Sequence, residues 1–172
     1  MKFWGAWSSA NRHAGTRGSC TSPTGAGQVL RLTMDGHAQV VAQKASFPLC
    51  IDFLPDGRML LVSAADRQLL VREADGVLRR YADLGESTPW NDIVVDARGT
   101  AYVNNIGFDF PAGPGSDGAP GIIARVSADG QVRTVADNLA FPNGMVVTPT
   151  TAPDRGRVVC RPPQRLRHRS ER

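Results

Sequence analysis

The chain has 172 residues, 41% of them hydrophobic, which is material for one core of ordinary size and gives no reason for two. Its formal charge of +4 divides unevenly: residues 25–153 hold ten Arg/Lys against fourteen Asp/Glu, residues 1–24 hold three basic residues and no acid, and residues 154–172 hold seven Arg against two acids. The basicity therefore lies at the ends and does not describe a nucleic-acid-binding face.

The first fifteen residues, MKFWGAWSSANRHAG, carry Lys2 but no apolar core of about 7–15 residues such as a secretory signal has. Nowhere does an uninterrupted apolar run approach the roughly 20 residues of a membrane span. A cytoplasmic protein with no membrane partner is expected. Cys20, Cys50 and Cys160 form no metal-ligand spacing, and an odd count is poor material for a disulfide framework.

From Gln28 the chain becomes periodic. QVLRLTMDGHAQVVA, QLLVREADGVLRRYA from Gln68 and IIARVSADGQVRTVA from Ile122 are each an alternating run, a turn and a second alternating run. Asp-Gly at the turn (Asp35-Gly36, Asp75-Gly76, Asp129-Gly130) is a strong hairpin signal, because Gly accepts the positive φ required there. Between the hairpins a second unit recurs as FPLCIDFLPDGRMLLVSA, TPWNDIVVDARGTAYVNN and FPNGMVVTPT, with Pro48, Pro89 or Pro142 preceding a short apolar strand. The unit is four strands long. The turns at Asp35 and Asp75 are 40 residues apart, and those at Asp75 and Asp129 are 54 apart because the Gly/Pro-rich stretch 109–121 is inserted. Four-strand units of about 40–45 residues in series predict an all-β chain, a partial β-propeller of about three four-stranded blades. A β-sandwich would also use short strands and regular turns, but has no need of self-similarity at a blade period.

PWNDIVVDARGTAYV, NNIGFDF and ADNLAFPNGMVVTP together resemble the senescence-marker-protein/gluconolactonase (regucalcin-like) family over roughly residues 25–150. That resemblance implies a six-bladed fold, about twice the blades expected here, and metal-dependent hydrolysis of a small lactone. It implies a divalent cation, calcium first and zinc second, held by oxygen ligands at the mouth of the central channel. A hard cation such as calcium takes about six to eight oxygens, and amide carbonyls supply some of them without excess charge. Carried over by motif, Asn91 of WND and Asn143 of PNG are the expected metal ligands, and Asn105 of NNIGFDF is an expected substrate-binding residue. Each also has a plain structural reading: Asn before Gly is ordinary turn chemistry, and Asn91 can cap a strand. Asp109 reads equally well as solvated loop charge. Pro89 stands where many family members have an Arg, which weighs against a sugar-acid lactone. No catalytic residue is assigned. His13, His37 and His168 form no cluster, so neither a zinc site nor a histidine base is supported by the sequence.

The two ends fit the family only in another reading frame. With synonymous codons chosen freely, a shifted frame over residues 7–24 permits VFGEPPCWHEGKLYFSD, and one over 154–172 permits IVAESYADRLSAFAIDR, both family-like strand sequences. The chain thus divides into an out-of-frame segment 1–24, a partial propeller 25–153 and an out-of-frame basic tail 154–172. Residues 1–20 and 154–172 are expected to be irregular or poorly determined, since out-of-frame sequence is not selected for packing. The family's metal shell also uses a Glu from the first blade and an Asp from a later one, absent from the chain as written, so little or no lactonase activity is expected of it. The alternative function is a non-catalytic propeller that binds a partner. The tail arginines lack interleaved aromatics, so no nucleic-acid partner is expected.

Overall fold

The computed structural model describes residues 19–23, 27–85, 89–108, 120–148 and 157–161. Its elements are all antiparallel strands, grouped in four sheets. The first sheet has three: β1 (Ser19–Pro23), β2 (Gln28–Thr33) and β3 (Ala38–Gln43). The second is a complete four-stranded meander of β4 (Leu49–Phe53), β5 (Met59–Ser63), β6 (Gln68–Arg72) and β7 (Leu78–Asp83). The third repeats it with β8 (Trp90–Val95), β9 (Ala101–Asn105), β10 (Gly121–Val126) and β11 (Val132–Leu139). A two-stranded ribbon of β12 (Asn143–Thr148) and β13 (Arg157–Arg161) ends the series. The described residues thus form a partial propeller, with two four-stranded blades, one sheet of three strands and one of two.

The stacking follows from strand periodicity. Side chains alternate between the two faces of a sheet, so a blade lying between two others buries both sets. All five residues of β5 are buried. Leu60 and Val62 face one core, shared with Leu69, Val71, Trp90, Ile93, Ala101 and Val103 of the second and third sheets. Met59 and Leu61 face the other, shared with Val29 and Ala42 of the first sheet. A smaller core of Val94, Ile123 and Met145, with Tyr102 and Val147 against it, joins the third sheet to the ribbon. Strands β4, β8 and β12 lie side by side along one edge of this stack.

The three Asp-Gly hairpins form as expected, with a refinement of turn type. Gly36, Gly76 and Gly130 have φ of 87°, 83° and 79°, while the preceding Asp residues are not among those with positive φ. Each Gly N–H donates to the carbonyl three residues back, on Thr33, Glu73 or Ser127, at 2.9–3.0 Å. This is a type I turn followed by a left-handed glycine, not a two-residue turn with both central residues at positive φ.

Short parts of the two ends, residues 19–20 and Arg157–Arg161, lie in strands where irregular chain is expected. Ser19–Pro23 pairs with β2 and Arg157–Arg161 pairs with β12. A β-ladder asks only for backbone N–H and C=O groups, and β2 and β12 present an edge to any extended neighbour. Residues 1–18, 154–156 and 162–172, where the rest of both segments falls, lie outside the described residues.

Candidate functional site

The starts of β8 and β12 come together at one corner of the third sheet. Opposite β8, Trp90 pairs with Asn105 and Ile93 pairs with Val103, so Asn91 and Asp92 together face the single residue Asn104. This is a β-bulge, which bends the strand and re-aims its side chains. Asn91, half-buried, reaches across to Asn143, exposed at the start of β12, with Nδ2 donating to Oδ1 at 3.2 Å. Asp92 reaches the same strand one turn of pleat deeper, its Oδ2 accepting the Met145 N–H at 3.0 Å.

The Asp92 carboxyl is pushed above its ordinary range by burial, opposed by the backbone N–H groups of Met145, Ile93 and Gly144. Burial, together with the Asp92 charge, pushes the Cys50 thiol up to about 12, so Cys50 is a packing residue and not a nucleophile. An equivalent tie joins the preceding pair of blades: Asp52 on β4 accepts the Val95 N–H on β8 at 2.7 Å through Oδ2 and the Phe53 N–H at 2.8 Å through Oδ1.

Two further contacts seat the PNG segment, and a third closes the neighbouring strand ends. Pro142 lies flat on Gly121, where an added Cβ would collide with the proline ring and stand 2.6 Å from the Asn105 carbonyl oxygen. Phe141 has φ of 51°, uncommon for a bulky side chain, and its ring lies 5.4 Å from that of Phe108. The Ile106 N–H donates to the Pro89 carbonyl at 3.2 Å, closing the start of β8 against the end of β9.

Of the residues singled out by sequence, Asn91 and Asn143 are brought into contact. Asn105 is not brought to them: it is 2% exposed, and its Oδ1 accepts the N–H of Gly107 at 2.7 Å. Asp109 lies outside the described residues. Sequence reasoning passed over Asp92 and Asn104. An Asp placed directly before the apolar run IVV, in a strand sequence, was the available signal for the first. Asn104, hidden beside Asn105, had none, because its partner is the Asp92 backbone and not a motif residue.

The residues fit one edge of a cation shell. Two neutral amide groups meet there, but with the Asn91 amide as placed it offers nitrogen, not oxygen, to Asn143. Both carbonyl oxygens would face one ion only with that amide turned over. Among the described residues no group of three or more His, Cys, Asp or Glu side chains could hold a metal ion.

Residues 25–152 match the family described as SMP-30/Gluconolactonase/LRE-like region, about three quarters of the chain. The chain belongs to that family. Solved structures agree on the fold. A gluconolactonase of Xanthomonas campestris is 20% identical with a TM-score of 0.60, the alignment covering 74% of this chain and 46% of the other. A structural-genomics target assigned provisionally as a gluconolactonase is 19% identical with a TM-score of 0.54, covering 69% and 44%. Virginiamycin B lyase of Staphylococcus aureus, in a catalytically inactive form with quinupristin, is 13% identical with a TM-score of 0.51, covering 74% and 45%. The chain therefore spans less than half the length of these structures. No curated protein matches it in sequence. No helix among the described residues is long and apolar enough to cross a membrane.

Proposed function

We propose that this family member derives from a gluconolactonase-like hydrolase that opens a small lactone with the help of a divalent cation, calcium in the first place and zinc in the second. The observation that carries the reading is the meeting of Asn91 and Asn143, 52 residues apart, at the starts of neighbouring strands in a chain of this family. A bound cation would polarise a lactone carbonyl and favour attack by water. This chain's own residues hold the place for it. Asn143 offers Oδ1, Asn91 steadies that amide, and Asp92 pins the backbone of β12 beneath it. Asn105 stays in the proposal as the substrate-binding residue that the family resemblance implies; it is buried, and its amide Nδ2 has no partner among the described residues.

A second reading is a propeller that binds a partner without chemistry: among the described residues the site offers two amides and no group of three or more His, Cys, Asp or Glu, a weak shell for a hard dication. The two are separated by assaying hydrolysis of glucono-δ-lactone and simpler lactones with calcium, zinc or a chelator. The chain as written is expected to be weakly active at most, and the chain with both shifted frames restored to gain chelator-sensitive hydrolysis that Asn143→Ala abolishes. Chelator-insensitive hydrolysis by the unrestored chain overturns the proposal.

The out-of-frame reading of 1–24 and 154–172 is a separate proposal. The span of the family match, 25–152, supports it; the pairing of β1 and β13 weighs against it. Compensating insertions and deletions in the nucleotide sequence around codons 7–24 and 150–160 are expected, and an uninterrupted frame shared with intact relatives refutes it.

A further inference from the structure

We infer that Asn104 is a positioning residue, whose side chain sets the bulge that turns Asn91 toward Asn143. The inference rests on the functional reading above only for what the pair binds; the geometry is independent of it.

In a regular antiparallel ladder Asn91 and Asp92 would point to opposite faces and each would have its own partner on β9. Here both oppose Asn104, and the ladder cannot supply a backbone acceptor for the extra N–H. Asn104 supplies one from its side chain: Oδ1 accepts the Asp92 N–H at 3.0 Å. Asn is suited to this. A β-branched apolar residue would fill the strand position but leave the Asp92 N–H buried without an acceptor, which restores the regular register as the better arrangement. In that register one residue shifts along β8, and the side chains of 91 and 92 exchange faces. The reach to Asn143 and the tie to Met145 would then be lost together.

The other half of the Asn104 amide marks the cost. The residue is fully buried, and its Nδ2 has no partner among the described residues. A strand selected for stability alone has no use for a buried amide that satisfies only one of its two ends. Its place opposite the bulge, directly behind the Asn91–Asn143 contact, accounts for its presence.

The test compares the full chain with Asn104→Val, which removes the acceptor but suits a strand, and Asn104→Asp, which keeps an oxygen acceptor at the same reach. Leu69→Ala, in the core between the second and third sheets, serves as a control for general loss of stability. Nitrogen-15 NMR of the Asn91 side-chain amide and the Asp92 backbone amide reads the geometry directly, and calorimetric titration with calcium chloride reads the site. In Asn104→Val both amide signals are expected to move to solvent-like positions, with any calcium affinity falling at least tenfold. Asn104→Asp and Leu69→Ala should keep both signals. Unmoved signals in Asn104→Val overturn the inference, as does their loss in Asn104→Asp, which also decides the matter if Asn104→Val does not fold. If the parent chain binds no calcium while the signals behave as expected, the cation reading fails and the positioning role stands.

Discussion

The Asp92 carboxylate on β8 accepts the backbone N–H of Met145 on β12, 3.0 Å away and 53 residues along the chain. Backbone donors at the start of a strand that, among the described residues, is hydrogen-bonded to a strand on one side only need such an acceptor. Removing it in Asp92→Ala leaves a donor unpaired in a partly buried place, for about 1–3 kcal/mol of stability. Asp92→Asn retains an oxygen there and should cost well under that. Urea unfolding measures the difference, and faster hydrogen exchange at the Met145 amide should locate it.

The same carboxylate gives stability a pH dependence of a definite sign. Burial raises its folded pKa above the unfolded value of 3.8, so the folded state binds the proton more tightly. Its contribution is fully present below about pH 4 and is lost as pH rises through the folded pKa. The stability of the parent chain relative to Asp92→Asn should therefore fall with rising pH across that window. Asp75 behaves oppositely: hydrogen bonds from Arg79 and the Val77 N–H lower it from 3.8 to about 2. Its contribution is present above 3.8 and disappears as pH falls toward 2, and it is small because the pair is exposed to solvent and screened. Thermal melts of the parent, Asp92→Asn and Asp75→Asn between pH 2 and 7 check both signs.

Gly121→Ala tests the seat of the PNG segment. The added methyl meets backbone and a proline ring, neither of which can swing aside, so β12 must move. Overpacking of this kind costs about 1–3 kcal/mol. The Asn91–Asn143 contact should be lost with it, visible as a shift of the Asn143 side-chain amide, whereas Gly57→Ala at an open turn should leave that signal in place.

Cys50 should be inert in the folded chain. It is 3% exposed with its thiol held protonated up to about 12. In a Cys20→Ser, Cys160→Ser background no thiol should react with an aromatic disulfide reagent at pH 8 until denaturant is added. Prompt reaction in the folded state would mean that the core between the second and third sheets is open.

Much of the fold was legible in the sequence because its signals are local. Asp-Gly between alternating runs fixes a hairpin within about fifteen residues, and a hairpin repeated at a blade period leaves few architectures open. The motif residues Asn91 and Asn143 are named by carry-over from the family the chain resembles, on the short motifs WND and PNG. What the sequence could not decide was register. Whether two residues of β8 or one would face Asn104 depends on which N–H groups find acceptors across the sheet, and that is settled only when β9 and β12 are in place. Tertiary structure alone therefore decided that Asn91 meets Asn143, that Asp92 ties β8 to β12, and that Asn105 turns inward to Gly107. It also decided the edges, since pairing at Ser19–Pro23 and Arg157–Arg161 is drawn by the open backbone of β2 and β12 more than by any pattern in those residues.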